Sequence, residues 1–167
     1  RQRYDVSPLR RRLAMDCAKA SLAVKREQGP RDLSLYLGIP FCPSRCAYCS
    51  FISADVKGCL KLVEPFLETL REEIVRSGEL ARQAGMRVRS VYVGGGTPTT
   101  LSAEQLTEVL SALGQAFDLS SCEEYTVEAG RPDTITREKL SALRRAGGGP
   151  GSVDPQALRD GGLAAIG

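Results

Sequence analysis

Histidine is absent from this 167-residue chain. Its absence removes the Ser-His-Asp and Cys-His nucleophile systems, and with them every histidine-ligated zinc hydrolase. Any chemistry has to come from thiolates, carboxylates, backbone amides or a bound cofactor. Long apolar runs are also absent. No stretch approaches the ~20 residues that a bilayer-spanning helix needs, and no signal-peptide pattern opens the chain. There is little net charge: +3 is too small to argue for a nucleic-acid partner. Six cysteines make a poor disulfide framework here, because they cluster and the chain is not a small loop-rich scaffold. The expectation is a cytoplasmic monomer with reduced thiols, in contact with neither membrane nor nucleic acid.

What remains is an ordinary globular composition, 42% hydrophobic and 26% charged, with enough chain for one real core. Along the chain the apolar pattern alternates between helix and strand periods. Leu9, Leu13, Cys17, Ala20 and Val24 fall at helical spacing, opened by Ser7-Pro8 and stopped by Gly29-Pro30. Arg10, Arg11, Arg12, Lys19, Lys25 and Arg26 read as the solvated face of that helix. Leu33 to Ile39 is a short buried strand ahead of Pro40. An amphipathic helix follows through Leu62, Val63, Phe66, Leu67, Leu70 and Ile74, ending near Gly85.

The pattern then repeats. Val88 to Val93 is a strand with GGGTP as its exit turn. Ser102 and Gln105 form a capping box for a helix carrying Leu106, Val109, Leu110, Leu113 and Phe117. Glu124 to Ala129 is a third strand, and Thr136 caps a helix with Leu140 and Leu143. Asp154-Pro155 opens a last helix through Leu158 and Ile166. The class is therefore α/β with a parallel sheet, and right-handed crossovers curling one way make the start of a β/α barrel. The expected organisation is a helical segment over 1–30 and a barrel core over 31–167. Each unusual segment sits just after a strand, at the carboxyl end where barrels build their sites.

The first of these is GIPFCPSRCAYCSF, which carries Cys42, Cys46 and Cys49 as C-x3-C-x2-C. A structural zinc site wants four ligands, whereas small-hydrophobe packing or chance accounts for Cys17, Cys59 and Cys122 better than ligation does. Three thiolates suit a [4Fe–4S] cluster with one iron left without a protein ligand. Such an iron can bind and reduce a small molecule. Zinc is the minor alternative.

Cys42, Cys46, Tyr48 and Cys49 together resemble the signature of the radical S-adenosylmethionine (SAM) enzymes. With VYVGGGTPTTLS and EEYTVEAGRPDTIT, the chain from about Leu33 is similar to the oxygen-independent coproporphyrinogen III oxidase group. Many members of that wider group, the haem-chaperone relatives included, have histidine just before IPFC, and here that residue is Gly38. The resemblance implies that Cys42, Cys46 and Cys49 ligate three irons while SAM chelates the fourth. It places Tyr48 near the adenine and gives Gly94, Gly95, Gly96 and Thr97 the methionyl portion. Glu128 becomes a polar SAM contact with Arg131 nearby, and Gln156 a ribose contact.

Where the group has an apolar fourth strand, Gly147, Gly148, Gly149, Pro150 and Gly151 are poor strand formers. The reading is thus a partial barrel, truncated after about four βα units. The implied activity is oxidative decarboxylation of coproporphyrinogen III to protoporphyrinogen IX in haem biosynthesis. Its partners are the porphyrinogen and an electron donor for the cluster; the fragment alone is expected to be inactive. A haem-binding chaperone of the same fold and a non-catalytic metal-binding module are the rival readings.

Overall fold

Three β-to-α passages, each built on a short apolar strand, organise the computed structural model, which describes residues 6–51, 54–129 and 131–146. The chain divides into two compact units, 1–32 and 33–167. The first holds helix α1 (Pro8–Glu27), with Ser7 at its N-cap accepting a hydrogen bond from the Arg10 amide and Pro8 at its first position. Its apolar stripe is not buried: Leu9 is 77% and Leu13 62% exposed, and Cys17 is exposed with them. Cys17, expected to be no ligand, thus lies on an exposed stripe.

The second unit follows the order expected. Strand β1 (Asp32–Ile39) is followed by two two-residue strands, β2 (Phe41–Cys42) and β3 (Ala54–Asp55), and then helix α2 (Val56–Gln83). Strand β4 (Arg87–Gly95), helix α3 (Ala103–Ala116), strand β5 (Glu124–Val127) and helix α4 (Arg137–Arg145) complete it. The main sheet has the order β1-β4-β5, and β4 and β5 pair in parallel from Ser90↔Glu124 to Val93↔Val127. Consecutive βα units are thus neighbours, as in a barrel, with no reversal of strand order of the kind that marks a doubly wound sheet.

Alternation along the strands puts one face into the core. Leu37, Ile39, Val91, Val93, Tyr125 and Val127 are buried with Val63, Leu67, Leu70 and Ile74 of α2 and Leu106, Val109, Leu110 and Leu113 of α3. Leu143 of α4 joins the same cluster, so all three helices cover one side. Helices α2 and α3 meet at Gly78, where a Cβ would lie 2.5 Å from the Ala116 carbonyl oxygen. The capping box at Ser102 and Gln105 forms as expected, with both reciprocal bonds present. The opposite face of the sheet is left open and polar. Ser34 and Ser90 hydrogen-bond across it at 2.9 Å, and Tyr36 stacks on Tyr92 with ring centroids 6.0 Å apart. The expected fourth strand at 147–151 and the helix opened by Asp154-Pro155 lie outside the described residues.

Candidate cluster and cofactor site

Strand β1 delivers the chain through fully buried Ile39 to Pro40, and β2 and β3 then close the base of the cysteine loop. They pair in parallel, Phe41 against Ala54 and Cys42 against Asp55, and the Ala54 amide donates to the Pro40 carbonyl at 2.7 Å. This clasp was not visible in the sequence, since strands of two residues have no periodicity to read. Cys42 is buried in it, while Cys46 and Cys49 are half-buried in the loop beyond. The Cys49 amide donates to the Cys46 carbonyl, so these two expected ligands share one tight turn. Tyr48 stands between them, 59% exposed.

The exit of β4 packs directly on this loop. The Gly96 amide donates to the Ile39 carbonyl and the Thr97 amide to the Phe41 carbonyl, both at 2.8 Å. Buried Thr97 turns its hydroxyl onto Cys42 Sγ at 3.6 Å. The glycines are explained first by the protein's own chain. Gly95 has φ +115, and a Cβ there would lie 2.8 Å from the Ile39 oxygen. A Cβ on Gly96 would lie 2.7 Å from the Phe41 oxygen and 2.9 Å from Cys42 Sγ. Gly94 differs, because its space is bounded by side chains: Tyr92 Cε1 at 2.6 Å and Glu128 Oε2 at 2.9 Å. Gly94 and Glu128, two expected cofactor contacts, are therefore adjacent on the open face. The Tyr92 hydroxyl beside them is pushed above its ordinary pKa by burial, then by the Glu128 and Tyr36 charges.

The exit of β5 closes the third side. The Arg131 guanidinium forks onto Asp133, Nε to Oδ1 at 3.0 Å and NH2 to Oδ2 at 2.9 Å. Its remaining nitrogen donates to Ser44 Oγ at 2.9 Å, to the Ser44 carbonyl at 3.4 Å and to Cys46 Sγ at 3.7 Å. The Asp133 hydrogen bond, set against some desolvation, raises the pKa of a group that is always charged. Thr134 Oγ1 donates to the Arg131 carbonyl at 2.7 Å, so Thr99 is the donor in their 2.5 Å hydroxyl contact. Lys139 of α4 then caps both exits, donating to the Thr99 carbonyl at 2.6 Å and the Thr134 carbonyl at 3.1 Å.

Sequence reasoning missed Lys139, Ser44 and the Arg131 contact to Cys46. Their partners are far away along the chain, and no local motif marks them. Gln156 lies outside the described residues.

These residues fit an iron–sulfur cluster. Among the described residues no three histidine, cysteine or carboxylate side chains converge on a single metal position. A cluster asks for something else, since each thiolate binds a different iron and the sulfurs stand apart around its faces. Two of the three sulfurs already receive hydrogen bonds, from Thr97 and Arg131, of the kind that support metal-bound thiolates.

The architecture is that of a radical SAM domain. The family model described as "Radical SAM superfamily" matches residues 36–163, and the chain belongs to that superfamily. Within it, the similarity is to the oxygen-independent coproporphyrinogen III oxidase group. The chain is 41% identical over 137 residues to the oxygen-independent coproporphyrinogen-III oxidase-like protein HemZ of Bacillus subtilis, covering 81% of this chain and 27% of that protein. To the heme chaperone HemW of Lactococcus lactis it is 38% identical, over 66% of this chain and 27% of that one. The solved coproporphyrinogen III oxidase HemN of Escherichia coli, a radical SAM enzyme, superposes with a TM-score of 0.66 at 30% identity, covering 78% of this chain and 29% of that one. The chain thus spans about 27% of the length of the first two relatives. Among the described residues no helix is long and apolar enough to cross a membrane.

Proposed function

We propose that this chain carries the cluster- and SAM-binding part of a radical SAM protein whose substrate is coproporphyrinogen III, oxidatively decarboxylated to protoporphyrinogen IX. The observation that carries the reading is the meeting of three strand exits. The loop of Cys42, Cys46 and Cys49, the Gly94–Thr97 turn and Glu128 gather at the carboxyl end of one sheet. The cluster, when bound, supplies the electron that cleaves SAM; the protein supplies binding, orientation and exclusion of solvent.

Cys42, Cys46 and Cys49 would hold three irons. Thr97 and Arg131 keep two of those sulfurs oriented, and burial of Cys42 shields its position from water. Glu128, on the open face beside Gly94, is placed to accept hydrogen bonds from the SAM amino group. Tyr48 offers an exposed ring for the adenine, and Gln156 is assigned to the ribose. The 31–167 segment acts as the core and 1–30 as a separate helical segment. An electron donor serves the cluster, and the protein works in the cytoplasm as a monomer.

The haem-chaperone reading is favoured by the HemW relatives. Gly38 weighs against it. A Cβ at position 38 meets only Tyr36 Cε1, at 3.4 Å, so packing around the Cβ does not demand the glycine. Anaerobic reconstitution with iron and sulfide, followed by metal analysis and an absorption spectrum, tests the site. Cys42→Ala, Cys46→Ala and Cys49→Ala should each abolish the cluster, whereas Cys17→Ala, Cys59→Ala and Cys122→Ala should retain it. Cluster loss in Cys122→Ala with retention in Cys46→Ala would reject the ligand set. Haem titration of the reconstituted protein, alongside an assay for protoporphyrinogen in a form extended through further βα units, separates chaperone from oxidase.

A further inference from the structure

We propose that Arg131 and Asp133 form a positioning pair that sets the reduction potential of the cluster through Cys46, with Arg131 raising it and Asp133 holding it down. The inference rests on the assignment of Cys46 as a cluster ligand. Arg131 reaches across from the exit of β5 to a thiol 85 residues earlier, and its side chain is only 12% exposed. A guanidinium so shielded keeps most of its field, because salt and water screen it weakly. Adding one electron to the cluster adds negative charge, part of it on the ligand sulfurs. A cationic hydrogen-bond donor at Sγ favours that reduced form and so raises the potential.

Asp133 opposes this. Its carboxylate takes two of the guanidinium's donors in a fork and cancels much of the charge, which leaves the hydrogen bond to Cys46 as the net effect. The pair also fixes direction. With Nε and NH2 held by Asp133, the other nitrogen is aimed at Ser44 and Cys46. The arrangement makes a prediction that a mechanical clamp does not: removing the cation and removing the anion must move the potential in opposite directions.

The test is a dithionite titration of the anaerobically reconstituted chain, followed by the electron paramagnetic resonance of the reduced cluster. In Arg131→Gln the potential should become more negative, with the reduced-to-oxidised ratio at the parent's midpoint falling about tenfold, which is about 59 mV for one electron. In Asp133→Asn it should become more positive by a several-fold ratio, with iron content unchanged. Asp133→Asn stands by itself if Arg131→Gln fails to assemble a cluster. A parent-like or more negative potential in Asp133→Asn overturns the proposal, as does a parent-like potential in an assembled Arg131→Gln. A parent chain that takes up no cluster would instead reject the cluster assignment on which the proposal is built.

Discussion

Replacing Lys139 by methionine keeps the side-chain stem and removes only the ammonium, so it isolates one link in the site. That ammonium bridges two backbone carbonyls, Thr99 at 2.6 Å and Thr134 at 3.1 Å, in the turns that follow β4 and β5. Hydrogen bonds from a charged donor contribute about 1.5–3 kcal/mol each. Against this, burial lowers the Lys139 pKa, so part of the gross gain offsets desolvation of the ammonium.

Loss of the donor also strands the carbonyl of Thr99, a residue that is 1% exposed. The expected net cost is about 2–4 kcal/mol. At roughly 3–4 °C per kcal/mol for a domain of this size, Tm should fall by about 6–16 °C. Thermal unfolding followed by circular dichroism at neutral pH measures it. Hydrogen exchange should speed up at residues 97–101 and 131–135 ahead of the rest of the core. A Tm within about 2 °C of the parent, with unchanged exchange there, would refute the bridging role. The pH dependence has a definite sign. A depressed lysine pKa means that the unfolded chain binds more protons between the folded pKa and 10.5; the neutral amine keeps two N–H donors for the two carbonyls, so this group makes stability rise with pH across that window.

Four other variants are independent of that bridge. Gly94→Ala should displace only Tyr92 and Glu128, lowering SAM affinity measured anaerobically while iron stays bound. Gly95→Val forces a β-branched residue to φ +115 against Ile39 and should lose iron and SAM together; an intact cluster in Gly95→Val, or unchanged SAM affinity in Gly94→Ala, contradicts the geometry. Gly78→Ala tests the sign of a contest. Helix propensity favours alanine by about 1 kcal/mol, but the Cβ would lie 2.5 Å from the Ala116 oxygen, and overpacking by about 1–3 kcal/mol should win; a raised Tm would show that the helices separate freely. Tyr125 buries a hydroxyl with no partner among the described residues, and burial, then Cys122, pushes its pKa up to about 12. Tyr125→Phe should therefore raise stability by about 1 kcal/mol. The parent should lose stability between pH 10 and about 12, where the unfolded tyrosine ionises and the folded one does not; a parent as stable at pH 12 as at pH 10 would contradict this.

Local chemistry made most of the framework legible. The Ser102–Gln105 capping box, the Thr136 cap and the period-two strands around Val91 and Tyr125 are signals within a few residues, and they reappear as described. The strands were read slightly short at β4, because a glycine run suggests a turn whereas Gly95 still belongs to the strand. The cysteine spacing marked the loop after β1 for the same local reason. What could not be read was long-range. Arg131 to Cys46, Thr97 to Cys42 and Lys139 to Thr99 join residues 85, 55 and 40 positions apart, and no pattern in either partner announces the other.

The separation between Cys42 and Thr97 also has a meaning in time. A nascent chain grows at about 5–20 residues per second, so the 55 residues between the thiol and the hydroxyl that orients it take roughly 3–11 s to make. Throughout that interval the loop lacks the Gly96 and Thr97 amides that later hold Ile39 and Phe41 in place, and Cys42 has no wall to bury it. Arg131 reaches Cys46 later still, after 85 residues. The thiols are therefore most open to oxidants and stray metal ions while the chain is still on the ribosome. The ordered cysteine loop is a late product of synthesis, complete only once the exits of β4 and β5 have been made.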